Sequence, residues 1–281
     1  MGRNKISIIT INLNNKVGLE RTILSVIEQS YTDFEYILID GGSDDGSVEI
    51  IKESEKKIAY WVSEKDNGIY NAMNKGILKA NGDYCLFINS GDIFTKSTIL
   101  DEMISYINDE DILYGNGFFE AKNNTLEKLE CPENLTLGFF TLYCLLHPCT
   151  LIRKSLFDKY GLYNESNKII SDYEFFIETT ILNKVKTKFI PLDIAIAEDN
   201  GISRRDDYKA ILAEERKMVL NRLFPDYAVD LMNDYRTLKI ENFRLTYEKN
   251  SLSSEIGLYK KNLICRAVLK MKRISNRFFK P

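Results

Sequence analysis

The sequence predicts an α/β fold on a mostly parallel sheet, and two observations carry that expectation. First, strand-like apolar runs alternate with amphipathic helical patterns between Ile6 and Asp92. Second, the three main runs, Ile6–Ile11, Tyr36–Ile39 and Tyr84–Ile88, each end in a cluster of Asn, Asp, Gly and Ser. Ligands of open parallel sheets bind beyond the carboxyl ends of the strands. Three such ends on one edge would make a carboxylate-rich cleft suited to a nucleotide and a divalent cation.

The elements follow in order. After the first strand, Val17–Gln29 has apolar residues at 19, 23, 24, 26 and 27, the period of an amphipathic helix. After the second strand, Ser47–Lys56 reads as a helix with Ser47 as N-cap. Ile58–Val62 is a short strand, and Asn67–Ala80 a third helix closed by Asn81-Gly82. Beyond Asp92 the alternation loosens. Thr98–Ile107 is helical, Ile112–Gly115 a strand, and 120–135 a loop or hairpin. Leu151–Arg153 is a short apolar stretch before a helix at Lys154–Tyr160; Asp172–Leu182 is a helix and Lys188–Ile190 a strand. Asp199-Asn200-Gly201 marks a turn before a long helical pattern from about Asp206.

The end of the chain differs in kind. Leu231, Leu238, Leu245, Leu252 and Tyr259 recur every seventh residue, interleaved with Tyr235, Asn242, Lys249, Ile256 and Leu263. This is a heptad seam, with Asn242 and Lys249 as polar residues at a positions. Asp234 with Lys239, and Glu255 with Lys260, have the spacing to bridge two chains. The alternatives are a homodimer through 228–263 or one helix lying on its own catalytic domain; Lys249 weighs against the dimer.

The chain has 281 residues, 44% apolar, with a net charge of -3. Residues 256–281 hold eight cations and no acid, which leaves the remainder at -11. Such a basic, apolar-studded tail fits an anionic membrane surface; no nucleic-acid motif accompanies it. Five cysteines without metal-type spacing predict reduced, mostly buried thiols in a cytoplasmic protein. The first strand starts within about five residues, so no signal peptide is expected, and no apolar run approaches the roughly 18 residues of a membrane span.

The strand ends hold the candidate chemistry. Thr10 and Asn12 close the first strand and Asp40 the second, where a carboxylate can accept hydrogen bonds from a base or ribose. Gly41-Gly42 would let the backbone approach the ligand. A calcium-loop reading of the same segment fails because Gly42 stands at a ligand position. In Asp66–Gly76, Asp66 or Asn67 can cap the helix, while Tyr70, Asn71, Asn74 and Lys75 put polar groups on an end facing the cleft. Asp92, in Asn89-Ser90-Gly91-Asp92, can hold Mg²⁺ or Mn²⁺ with help from diphosphate oxygens. Taken singly, each of these residues also has an ordinary reading as a turn, a cap or a solvated face.

Together, these segments resemble glycosyltransferase family 2, in its bacterial surface-polysaccharide branch. The resembling stretches are Ser7–Asn12, Ile39–Ser47, Ser63–Gly76 and Phe87–Asp92, and the likeness covers residues 5 to about 205. It implies the GT-A nucleotide-diphospho-sugar transferase fold, a Rossmann-like mixed sheet flanked by helices. The expected organisation is a catalytic domain over 1–205 (donor half 1–97, acceptor half 98–205), a helical extension over 206–263 and a basic tail over 264–281.

The resemblance also implies roles. Thr10 and Asp40 bind base and ribose; Asn12, Asp66, Tyr70, Asn74, Lys75, Ser90 and Gly91 belong to the donor side. Asp92 meets a Mn²⁺ or Mg²⁺ ion, although Gly91 stands where the family's metal motif has its first acid. The family's catalytic base matches Asp172, in Ile170–Phe175, with a plain helix cap as its ordinary reading and Ser171 as rival cap. His147, the one histidine, falls on the acceptor side, and Arg204 and Arg205 match a late loop that folds over the diphosphate. The implied reaction is inverting transfer of a sugar (hexosyl or N-acetylhexosaminyl) from a nucleotide diphosphate to a glycan or polyprenyl-linked acceptor, at the inner face of the cell membrane. A catalytically silent nucleotide-sugar binding module is the alternative. A sugar-phosphate nucleotidyltransferase fits less well, because Asn12–Asn15 is not a Gly-rich basic phosphate loop.

Overall fold

The structure is a computed structural model that describes residues 5–120, 125–198, 201 and 205–278, apart from the side chains of 206, 257, 259, 260 and 262–278. Its described strands are β1 (Ile6–Asn12), β2 (Phe34–Asp40), β3 (Tyr60–Ser63), β4 (Tyr84–Phe87), β5 (Ile93–Phe94), β6 (Ile112–Glu120), β7 (Leu126–Leu129), β8 (Thr150–Arg153) and β9 (Thr187–Ala197). They form one sheet in the order β3-β2-β1-β4-β8-β6-β9-β5, with β7 added on β6. The expected βαβ half is parallel: β1 pairs with β2 and β4, and β2 with β3. The second half makes the sheet mixed, because β8 runs antiparallel to both β4 and β6. This is the mixed sheet that the resemblance implies.

The order β2-β1-β4 sets three polar strand ends side by side, with β1 central. Residues buried on both faces explain the unbroken apolar runs: Ile6, Ile8, Ile9, Leu38, Ile39, Leu86 and Phe87 are wholly excluded from water. Each such side chain contributes roughly 1.5–3 kcal/mol relative to exposure.

Helices α1 (Lys16–Ile27), α2 (Ser47–Glu53) and α3 (Ile69–Lys79) connect the first strands. At Gly76, α3 comes so close to β1 that a Cβ would lie 2.5 Å from Ile9 Cγ2. The expected cap of α2 shifts by one residue: Gly46, at φ +92°, is the cap. Asp45 does the bonding instead, accepting from Ser47 N–H at 3.0 Å and from Lys16 N–H at 2.8 Å, so it ties the starts of α1 and α2 together.

Helix α4 (Ile99–Ser105) lies where the pattern put it, whereas α5 (Leu137–Leu142), capped by the Thr136 hydroxyl, was not foreseen. Helix α6 (Ser155–Tyr160) lies where expected, and the short apolar stretch before it is the strand β8. The helix expected over 172–182 divides into α7 (Ser171–Phe176) and a π-helical turn at Ile177–Leu182. The Thr179 and Thr180 hydroxyls donate back to the carbonyls of Phe175 and Phe176 at 2.7 and 2.6 Å and compete with the regular ladder there.

The chain forms two compact units, Met1–Asp226 and Tyr227–Pro281. The first extends past the boundary expected at 205, because α8 (Lys209–Leu223) is built into it. Its buried Glu215 accepts the backbone N–H groups of Lys168 and Ile169 at 2.6 and 3.0 Å. The second unit is the helix α9 (Asp226–Phe278). Cys85, Cys131 and Cys149 are buried free thiols and Cys144 is half-buried.

Candidate active site

The tips of β1 and β2 share one hydrogen-bonded cluster. Asp40 is fully buried, and its Oδ1 accepts from Asn12 Nδ2 at 2.7 Å and from Ser43 Oγ at 2.6 Å. Its Oδ2 accepts from Ser63 Oγ at 2.6 Å and from the Ser43 and Gly42 N–H groups at 2.9 and 3.2 Å. Burial alone would push Asp40 up, but these donors together hold it below the ordinary carboxylate value. The Asp40 carboxylate therefore fixes Asn12. Asn12 turns its Nδ2 to that carboxylate, and its Oδ1 is a buried acceptor without a partner among the described residues.

Thr10 is tied to the neighbouring strands. Its hydroxyl lies inside the sheet, donating to the Ile88 carbonyl at 2.6 Å and meeting Tyr36 Oη at 3.0 Å. Thr10 shares a face of β1 with Asn12, two residues on, and its hydroxyl braces β1 against β4 and β2.

Asp66 and Lys75 pair at 2.5 Å, and Lys75 also reaches Glu64 at 2.7 Å. Asp66 Oδ2 sits 3.1 Å from where a Cβ on Gly41 would stand, next to Asp40. Asp66 and Asn67 do not cap α3; Gly68, at φ +116°, is its cap residue. Asn74 is clamped away from the donor side: its Nδ2 donates to Tyr163 O and Glu165 Oε1, both at 2.9 Å, and its Oδ1 accepts Tyr163 N–H at 3.0 Å. Tyr70 reaches the other half of the site. Its hydroxyl donates to Asp172 Oδ1 at 2.8 Å.

Asp172 is the second residue of α7, whose cap residue is Ile170 with no side-chain cap bond. The Ser171 hydroxyl goes to the Asn164 carbonyl at 2.5 Å. Neither residue therefore caps the helix, and the Asp172 carboxylate, 23% exposed, opens to solvent between Tyr70 and His147. His147 is buried and stacks near Phe87, Tyr163 and Phe176. Its Nδ1 lies 3.9 Å from Asp172 Oδ2, and its Nε2 hydrogen-bonds Tyr163 Oη at 3.0 Å. Burial lowers its pKa, opposed by Asp172, and the ring packs behind the carboxylate.

At the β4 tip, Ser90 N–H donates to the Ile11 carbonyl, and Ser90 O accepts from Asn15 Nδ2 at 3.2 Å. Gly91 is at φ +104° and donates its N–H to Thr22 Oγ1. Asp92 is buried, and its Oδ1 accepts the Glu198 N–H at 3.1 Å. Burial pushes Asp92 up to about 7; Glu198 and Glu120 add to this, and backbone hydrogen bonds from Glu198 and Asn89 oppose it.

Among the described residues no group of three His, Cys, Asp or Glu side chains could hold a metal ion. The donor chemistry nonetheless fits a hard divalent cation shared with a diphosphate, since Mg²⁺ is commonly held by one or two carboxylates plus phosphate oxygens. Arg205 is spent locally, paired with Asp207 at 2.6 Å and lying over the Tyr208 ring. Arg204 lies outside the described residues.

Four groups important to this geometry were not singled out from sequence: Asn15, Ser43, Ser63 and Glu198. Asn15 and Ser43 lay inside the quoted polar segments. Glu198 gave no signal, being one acid at the end of an apolar strand.

The model of a family described as Glycosyl transferase family 2 matches residues 7–161. An uncharacterized glycosyltransferase of Mycobacterium tuberculosis is 30% identical over 227 residues, 78% of this chain and 85% of that protein. A PGL/p-HBAD biosynthesis glycosyltransferase of Mycobacterium bovis is 26% identical over 209 residues, 69% of this chain and 77% of that protein. Among solved structures, Staphylococcus aureus TarS 1-349 in complex with UDP-GlcNAc superposes with a TM-score of 0.58 at 17% identity, over 69% of this chain and 58% of that one. The mannosyltransferase PcManGT of Pyrobaculum calidifontis, in complex with GDP-Man and Mn²⁺, superposes with a TM-score of 0.53 at 13% identity, over 69% of this chain and 57% of that one. The chain thus spans less than two thirds of these solved chains, and at such identities they speak for the fold. With three strand tips meeting on a mixed sheet and a family match over more than half its length, the chain belongs to glycosyl transferase family 2.

Proposed function

We propose that the protein is an inverting glycosyltransferase that moves a hexosyl or N-acetylhexosaminyl group from a nucleotide diphosphate to a hydroxyl of a cell-surface glycan or its lipid-linked precursor. One observation carries the reading: Asp172 is held by the Tyr70 hydroxyl, with the buried His147 ring 3.9 Å away, yet it keeps an open face and caps no helix. In this reading Asp172 takes the proton of the acceptor hydroxyl as that oxygen bonds to the anomeric carbon, which requires an approach of about 3 Å. The bond to the diphosphate breaks on the opposite face, the leaving group keeps the electron pair, and the configuration inverts.

Asp40, Asn12 and Ser43 form the floor for base and ribose, and Lys75 lies at the rim with Asp66. Asp92 would hold a Mn²⁺ or Mg²⁺ ion, which when bound supplies neutralisation of the departing diphosphate. The ligands in the TarS and PcManGT complexes support a nucleotide-sugar donor with a cation. The PGL/p-HBAD biosynthesis relative supports a surface-glycan setting. A melting-temperature screen of UDP, GDP, dTDP and CDP sugars with Mn²⁺ should single out one donor. NMR of the glycoside formed on an acceptor alcohol should show the anomeric configuration opposite to that of the donor. Retention would refute inversion, and binding without any turnover would favour the silent binding module.

The second unit suits self-association. The heptad leucines Leu231, Leu238, Leu245 and Leu252 are 58–66% exposed along one continuous helix, a seam that a second copy would cover. Sedimentation should show a dimer for the whole chain and a monomer for one ending near Phe224; equal monomer masses would refute it. Among the described residues no helix is long and apolar enough to cross a membrane. The eight cations of 256–281 support placement at the inner, anionic membrane face, which flotation with anionic liposomes would test.

A further inference from the structure

We propose that Glu198 supplies, from the end of β9, the acid that the β4 tip lacks at Gly91, and that it faces the diphosphate-bound cation together with Asp92. The inference rests on the reading above that Asp92 meets such a cation. Asp92 and Glu198 are 106 positions apart, yet the Glu198 N–H donates to Asp92 Oδ1 at 3.1 Å. The pairing of β5 with β9 makes this contact rigid, since Ile93, next to Asp92, is in register with Ile196.

The Glu198 side chain folds over Gly91. A Cβ at position 91 would lie 2.3 Å from Glu198 Oε2 and 2.6 Å from its Cδ. The carboxylate therefore fills the space that a side chain at 91 would need. A side chain at position 91 would have to displace Glu198 and would be strained at φ +104°.

The carboxylate is also aimed. Asn15 accepts Gly18 N–H on its Oδ1, as the cap of α1, which fixes the amide and turns Nδ2 outward. That Nδ2 bridges Ser90 O at 3.2 Å and Glu198 Oε2 at 3.0 Å. Asp92 is buried while Glu198 is half-exposed, so Glu198 is the outer member of the pair. An acid missing from the strand tip is thus replaced in space by one from another strand.

The test is Mn²⁺ uptake by the full chain, read from loss of the free-ion EPR signal, with UDP, GDP, dTDP or CDP present in turn. Glu198→Gln keeps the shape and an acceptor for Asn15 but removes the charge. It should weaken Mn²⁺ binding by about tenfold or more, in the range seen when groups around a metal are altered, and should not weaken metal-free nucleotide binding, because a carboxylate repels a bare diphosphate. Glu198→Asp keeps the charge and should retain most of the affinity, which also controls for folding. Wild-type affinity in Glu198→Gln, with loss in Asp92→Asn, would overturn the role of Glu198 alone. Equal losses in Glu198→Gln and Glu198→Asp would show that the charge is irrelevant and overturn it too. No Mn²⁺ uptake by the wild type with any of the four nucleotides would overturn the metal reading and this proposal together.

Discussion

Tyr70→Phe separates two accounts of one residue. Its place in the motif suggests contact with the donor, whereas the structure spends its hydroxyl on Asp172 at 2.8 Å. The substitution removes one oxygen and leaves the ring against Tyr163, whose centroid is 5.6 Å away. A hydrogen bond to a charged group contributes roughly 1.5–3 kcal/mol. If that energy serves to orient the base, its loss lowers kcat by roughly 10- to 150-fold, at 1.36 kcal/mol per decade. The donor's KM should stay as it is, because in this account Tyr70 touches no donor atom. Donor hydrolysis measured over a range of nucleotide-sugar concentrations gives both constants. A raised KM with unchanged kcat would refute the positioning role and restore the donor contact.

Two further outcomes follow from the same geometry. Asn74→Ala strips three hydrogen bonds from the loop at Tyr163 and Glu165; a cost of about 2–3 kcal/mol for the groups left unpaired should lower the melting temperature by roughly 4–12 °C for a unit of this size. Asp40 has a folded pKa below its ordinary value of 3.8, so its contribution to stability is complete above that value and fades as pH falls through the folded pKa. Urea midpoints measured from pH 6 down to pH 2.5 should therefore drop less steeply below pH 4 in Asp40→Asn than in the wild type.

The sequence exposed what is local. Runs such as Ile6–Ile11 are buried on both faces of a parallel sheet, so they stand out as unbroken apolar strands. β5 has two residues and no pattern to show, and of β9 only Lys188–Ile190 stands out, because Pro191 and Asp193 break the pattern beyond it. α5 hides because Gly138 and two phenylalanines follow its Thr136 cap.

The site divides in the same way. Asp40, Asp92 and Asp172 are each visible in contiguous segments, and Asn12 and Ser43 lie beside Asp40 as the motif suggests. What a motif cannot give is direction. Thr10 bonds to Ile88 and Tyr36 beside it, Asn74 holds Tyr163 and Glu165, and Tyr70 crosses to Asp172; the last two depend on how α3 packs. Glu198 depends wholly on tertiary placement, which no local pattern announces.

The central claim is that the Asp172 carboxylate accepts the proton of the attacking hydroxyl. Asp172→Asn preserves the size of the side chain and an acceptor for Tyr70, and removes the base. Transfer or donor hydrolysis should fall by about two to four orders of magnitude, the usual contribution of a positioned base. The melting-temperature rise produced by donor and Mn²⁺ should be unchanged. Turnover near the wild-type rate in Asp172→Asn would contradict the account.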